Sequence, residues 1–439
     1  MTHDLYPHRA LMSRFAERAV SGACAVLLGA ALPAAVGAQS PLERMPEVRR
    51  AISAGDAAGA LRLIDSLALA VPDHPNLAFL RAHALGRAGR MSEAADAIHA
   101  LRRWDPRYAV IALRDSSVIA LRSEFGDVDS LAALAGRPYS LATVWATIAE
   151  PDLVAEGTAY DPATRSVLVG SLHKYKVVAI GADGSVTDRV AAGAGGVRSI
   201  AGIHVDSVRG TLWVASNARF DTPDDTATSA LYAFDAPTGA YRRRVPVAGS
   251  DRHFLNDVVT GADGSVYVTD TRAGRVWFAP PGDTVLRELS SVGALISPNG
   301  ITISPDGRVL FVATAEHVRG HDLASEESWR IAVPDSISVA GIDGLAFANG
   351  ALIAHHPLSF WKVARYELDG DWRRITGRTL LEANTADGRT STTGDVVDGD
   401  YVFIGNSQID RMNLGTIDAA TMEPIRMYRA PIAAGRPQR

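Results

Sequence analysis

Six short segments of this 439-residue chain begin alike. They read Glu156-Gly157-Thr158, Ala201-Gly202-Ile203, Asn256-Asp257-Val258, Asn299-Gly300-Ile301, Asp343-Gly344-Leu345 and Thr393-Gly394-Asp395. Five of the six carry glycine second, the residue expected where backbones crowd together. Equivalent first positions would form a ring of Glu, Ala, Asn, Asn, Asp and Thr. Four of them, Glu156, Asn256, Asn299 and Asp343, offer carboxylate or amide oxygens. Two carboxylates that face one another repel unless a proton or a cation stands between them. Such a mixed oxygen set suits calcium or, less strictly, magnesium or manganese. A ring without Cys or His argues against zinc. Each segment alone is an ordinary turn motif; their repetition at equivalent places points to a metal site.

Elements of matching regularity must position that ring. Some ten to twelve residues after each segment comes an apolar trio: Val167-Leu168-Val169, Leu212-Trp213-Val214, Val266-Tyr267-Val268, Leu310-Phe311-Val312, Leu352-Ile353-Ala354 and Val402-Phe403-Ile404. The trio centres lie 45, 54, 44, 42 and 50 residues apart. Turn signals precede them, including Asp263-Gly264, Asp306-Gly307, Asn349-Gly350 and Asp398-Gly399. Asp-Gly or Asn-Gly between apolar runs signals a hairpin. Repeats of this length, each with about four strands, predict a mainly β fold, a six-bladed β-propeller over residues 137–434. The segment Leu141–Ile148 is expected to close the ring by pairing into the last blade. A β-sandwich would give no reason for six matching units. In such blades the loop joining the second and third strands lines the channel entrance. Those loops carry His173, Asn217, Asp270, Glu316, His355, His356 and Asn406. His173 ends the short segment Gly170-Ser171-Leu172-His173 close to Glu156, and imidazole titrates near neutrality.

The stretch from about 150 to 412 resembles the calcium-dependent six-bladed propellers of the senescence-marker-protein/gluconolactonase (regucalcin-like) type, relatives of the paraoxonases. The likeness lies in Glu156-Gly157 with Tyr160-Asp161-Pro162, Leu255-Asn256-Asp257, Ser297-Pro298-Asn299-Gly300 with Ser304-Pro305-Asp306-Gly307, and Ile342-Asp343-Gly344-Leu345. The resemblance implies that Glu156, Asn299 and Asp343 are core metal ligands. It makes Asn256 a ligand or a substrate contact, and Asp343 also a general base. Two departures stand out: Thr158 replaces the family's proline, and Phe254 replaces its substrate-contacting arginine. Arg252 and His253 remain nearby as substrate-binding residues. The implied activity is metal-dependent hydrolysis of a lactone or ester, with Asp343 or His173 as base. No Gly-x-Ser-x-Gly nucleophile motif is evident. The alternative is a non-enzymatic exported propeller that binds a ligand or a protein, with a structural metal and a helical docking arm.

Residues 40–136 read differently, with Ala, Leu and Arg at helical spacing. Gly55-Asp56 matches Gly89-Arg90, Ala60 matches Ala94, and Val71-Pro72 matches Asp105-Pro106, each at an offset of 34. That is the tetratricopeptide period, kept for about two units and degraded in a third. Such a region either packs on the propeller or offers a groove to a protein partner. Residues 1–38 have a basic start, a weakly apolar run and the small-residue exit Val36-Gly37-Ala38. They predict a signal peptide and a periplasmic or secreted protein with no integral membrane segment after cleavage. A net charge of −5 speaks against nucleic-acid binding through bulk charge. The sole cysteine, Cys24, excludes a disulfide within the chain and a Cys-based metal site.

Overall fold

The computed structural model describes residues 41–218, 228–249, 252–357, 360–388, 390–413 and 417–432. The leader expected over 1–38 lies outside them. Among the described residues no helix is long and apolar enough to cross a membrane.

The apolar trios are the second strands of six antiparallel sheets. Blade one, for example, runs Ala155–Asp161, Ser166–Ser171, Val177–Ile180 and Val186–Val190 in order. The inner strands of the later blades are Ser199–Asp206, Leu255–Thr260, Ile301–Ile303, Leu345–Ala348 and Gly394–Val397. Each inner strand touches the next, and the last touches the first, so the sheets close into a ring. The propeller is therefore six-bladed, as the repeat predicts.

Closure uses the segment the sequence marks for it. Thr143–Ile148 is the outermost strand of blade six, pairing with Ile425–Pro431 in a register that sets Thr143 opposite Arg429. Just before it, Tyr139–Ser140 adds a fifth strand to blade five. The crossing chain thus fastens two neighbouring blades before the first blade begins.

The core is divided by blade. Six apolar clusters each fill the gap between two neighbouring sheets, from Leu168 and Val214 between blades one and two to Val169 and Ile404 between six and one. The trios read as continuous apolar runs because both faces of each second strand are covered.

The helical region packs around its own core, with Ala60, Ile64, Ala94 and Ile98 fully buried. Gly55 and Gly89 both take positive φ, at 79° and 73°, where a helix ends. Of the matched prolines, Pro106 opens the helix Pro106–Ala112, whereas Pro72 lies in the turn before the helix Pro75–Arg87, which Pro75 opens.

This region is docked on the face where the inner strands begin. Ile296, three residues before Asn299, packs against the helical core. The Asp73 amide donates to Glu316 at 2.9 Å, and Arg330 pairs with Asp73. Asn384 of blade five donates to the carbonyls of Ala135 (2.8 Å) and Arg137 (3.0 Å).

Candidate functional site

All six ring positions fall where an inner strand begins or just before it. The glycines explain the spacing. A β-carbon on Gly157 would come 2.4 Å from the Ala201 carbonyl oxygen, and one on Gly202 would come 2.3 Å from that of Asn256. On Gly300 it would meet the Asp343 carbonyl at 2.4 Å. Each of these glycines therefore lets one blade lie against the next blade's ring residue. Backbone bonds follow the same path: Gly300 N–H donates to Asp343 at 2.7 Å and Gly344 N–H to Thr392 at 2.8 Å.

A second local feature separates three ring residues from the rest. Val154, Ser297 and Gly341, each two positions ahead of Glu156, Asn299 and Asp343, have φ of 47°, 49° and 66°. Left-handed backbone at a β-branched valine and a serine is strained, and the surrounding structure holds it. The same turn thus delivers the three residues that the resemblance made core ligands.

The side chains converge electrostatically. Glu156, Asn256 and Asn299 are buried. Asn299 Nδ2 donates to Asp343 Oδ1 at 2.7 Å, and Asn256 Nδ2 donates to Thr271 Oγ1 at 3.1 Å. Both amide nitrogens are engaged by protein, which leaves the amide oxygens for another donor or a cation. Thr271 Oγ1 donates to the Pro298 carbonyl (2.7 Å) and Thr269 Oγ1 to that of Asn299 (2.6 Å), so blade three positions the Asn299 turn.

Glu156 Oε2 is buried with no hydrogen-bond partner. Burial, then the charges of Asp343 and Asp257, push the Glu156 carboxyl well above the usual range, against a smaller opposing pull from Thr392. Burial raises Asp343 to about 7, although the Asn299 bond opposes it. Asp257 also rises to about 7, through burial and then Asp343. Three mutually repelling acids, one with an orphaned oxygen, fit a site completed by a cation. Among the described residues no three His, Cys, Asp or Glu side chains group as a metal cluster. A cation here would therefore rely on the amide oxygens as well as the carboxylates.

Asp257 was not singled out by the sequence reading. It occupies the one second position that lacks glycine, and that departure was its signal. Asp395 was missed too; burial lifts it to about 6 despite amide bonds from Tyr160 and Val396.

The expected imidazoles stand elsewhere. His173 Nδ1 donates to the Asp152 carbonyl at 2.8 Å. His253 Nδ1 bonds Asp270 at 2.6 Å, and the His253 ring meets Trp277 edge-on at 5.3 Å. Its side chain thus turns toward the second and third strands of blade three. Arg252 is exposed. His355 is a tie between blades: it bonds Ser391 (2.9 Å) and Tyr401 (2.8 Å), and burial pushes it down to about 3. Phe254, half-buried, packs with Val154, Leu172, Ala201 and Met412 beside the ring.

No protein-family model matches the chain, the helical repeat included, and no curated protein matches it. Solved structures similar to it include a gluconolactonase from Xanthomonas campestris, at 18% identity and TM-score 0.46, over 68% of this chain and 93% of that one. A PQQ-bound aldose sugar dehydrogenase from Streptomyces coelicolor is 14% identical, at TM-score 0.45, over 67% and 98%. A virginiamycin B lyase from Staphylococcus aureus is 14% identical, at TM-score 0.43, over 67% and 89%.

Proposed function

We propose that the chain is an exported, calcium-dependent hydrolase of small lactones or esters, with Glu156, Asn256, Asn299 and Asp343 holding the ion. The observation that carries this reading is the buried, unpartnered Glu156 oxygen, placed among acids that raise one another's pKa. A bound divalent cation supplies Lewis-acid polarisation of the substrate carbonyl. The remaining chemistry belongs to the chain. Asp343, with one oxygen fixed by the Asn299 amide, has its second oxygen to take a proton from attacking water. His173, with Nδ1 tied to the Asp152 carbonyl, is the alternative base should Asp343 only hold the ion. Asn256 either binds the ion or orients substrate beside it. Magnesium or manganese are the other ions this oxygen set accepts.

A lactone and ester panel with and without chelator tests the reading. Hydrolysis that disappears with chelator and returns with calcium supports it. A protein that binds calcium yet hydrolyses nothing would instead be the binding propeller with a structural ion. Export is tested by the intact mass of the periplasmic product, expected to begin at Gln39.

A further inference from the structure

The ring and the helical region occupy the face where the inner strands begin. A groove of about 250 Å³ opens where they end, between blades two and three. Its floor is Trp213 and Ala233, cross-strand neighbours in the second and third strands of blade two. Pro281 and Gly282, in the last turn of blade three, close the far side. Three arginines of blade two stand over it: Arg209, Arg242 and Arg243.

Each guanidinium is set by the fold. In the fourth strand, Tyr241–Pro246, the pairing slips: Tyr241 lies opposite Phe234 and Arg243 opposite Ala233, so Arg242 is the extra residue of a bulge. Strict alternation sends successive side chains to opposite faces, whereas here both Arg242 and Arg243 line the groove. Arg242 pairs with Asp235 at 2.7 Å and donates to Thr211 Oγ1 at 2.7 Å. Arg209 pairs with Asp206 at 3.0 Å and donates to the Ala262 carbonyl of blade three at 3.0 Å. Gly264 makes room for it, since a β-carbon there would come 2.4 Å from Arg209 Nε. Arg243 lies over the Trp213 ring, 5.2 Å from its centre, and its Nη1 donates to the Asp283 carbonyl. The charges do not balance. Asp206 offsets Arg209 and Asp235 offsets Arg242, but among the described residues no carboxylate pairs with Arg243, and its Nε and Nη2 have no acceptor. The Asp283 carboxylate is engaged by Arg287 at 3.1 Å.

We propose that this groove binds a small organic monocarboxylate, with Arg243 as its anchor. One surplus positive charge calls for one negative charge, which favours a carboxylate over a phosphate dianion. A planar carboxylate also matches the two free donors of the Arg243 fork. Trp213, Ala233 and Pro281 receive the apolar body of the ligand. The volume lies just below the range of drug-sized pockets, about 300–1,000 Å³, so a molecule of benzoate's size fits. The three guanidiniums are already held in place, so binding orders few side chains. The groove shares no residue with the metal ring, and the proposal does not depend on the hydrolase reading.

Calorimetric titration of the full mature chain with benzoate tests it, with chelator present so that no cation in the ring takes the carboxylate. Benzoate is expected to bind at one site, and benzyl alcohol, its neutral counterpart, about tenfold or more weakly. Arg243→Gln should weaken benzoate by about the same factor. Arg244→Gln is the control: on the same strand its guanidinium lies over Tyr232, which packs toward blade one, and benzoate affinity should stay within about twofold. Equal weakening by the two variants would mean bulk charge and overturns the proposal. So does benzyl alcohol binding as well as benzoate, inorganic phosphate binding more tightly than benzoate, or folded wild type that takes up no benzoate at millimolar concentration. If Arg243→Gln fails to fold, Arg243→Lys takes its place; it keeps the charge, loses the fork, and should still weaken benzoate several-fold.

Discussion

Glu156 holds an awkward position in the absence of a cation: its Oε2 is buried and unpartnered, with Asp343 and Asp257 repelling it. Glu156→Gln keeps the shape and removes the charge. In metal-free protein at pH 7.5 the variant should be more stable than wild type by about 1 kcal/mol, because a buried unpaired charge costs roughly that or more. Calcium at about 100 times its Kd should add about 2.7 kcal/mol to wild type and little to the variant. Urea unfolding with and without calcium measures both; equal calcium gains would take Glu156 out of the ligand set. Asp343→Asn asks a separate question, since it keeps an oxygen donor but cannot accept a proton. Turnover should fall roughly 10²–10⁴-fold while calcium remains bound. Full activity at saturating calcium would leave Asp343 a ligand only and move the test to His173.

At the scale of the element, the ring was legible because Gly in the second position has a steric cause that repeats. Gly300→Ala should cost about 1–3 kcal/mol, because its β-carbon would meet the Asp343 carbonyl oxygen at 2.4 Å. Gly350, in open space, should tolerate Ala with only the smaller penalty of its positive φ. Thermal unfolding of the two variants compares them directly. The left-handed turns ahead of Glu156 and Asn299 were not legible, since valine and serine carry no signal for positive φ. Ser297→Gly should relieve that strain and stabilise the protein by up to about 1 kcal/mol. Asp257 and Asp395 escaped notice for a related reason. Their raised pKa values come from burial beneath neighbouring blades, which no local spacing reveals. His173 lies in the expected loop, whereas His355 and His356 end the second strand of blade five, and hydrogen-bonding partners distant in sequence decided where the imidazoles point. His355 binds Ser391 and Tyr401, and His253 binds Asp270.

The whole molecule is a closed ring with a helical region fixed to one face, and the joint between them combines apolar contacts such as Ile296 with polar ones. Strand spacing predicted the ring and apolar spacing at helical period the helices, but the joint depends on single residues far apart in sequence, such as Asp73 and Glu316. His74 sits in that joint. Its Nδ1 accepts the Asn76 amide at 3.2 Å, capping the helix Pro75–Arg87. Burial pushes its pKa from 6.5 down to about 4, although Glu316 opposes the shift. Between those values the unfolded chain binds the proton and the folded chain resists it. Stability from His74 is therefore complete above about pH 6.5 and is lost as pH falls toward 4. His204 and His355, lowered to about 4 and about 3, add in the same direction. His74→Asn keeps a good helix cap and removes the titration. From pH 7 to pH 5 the variant should end about 1–2 kcal/mol ahead of wild type, because the other lowered histidines weaken both proteins alike and the raised acids of the ring strengthen both alike. Urea unfolding at the two pH values measures this. An identical pH dependence in the two proteins would remove His74 from the account.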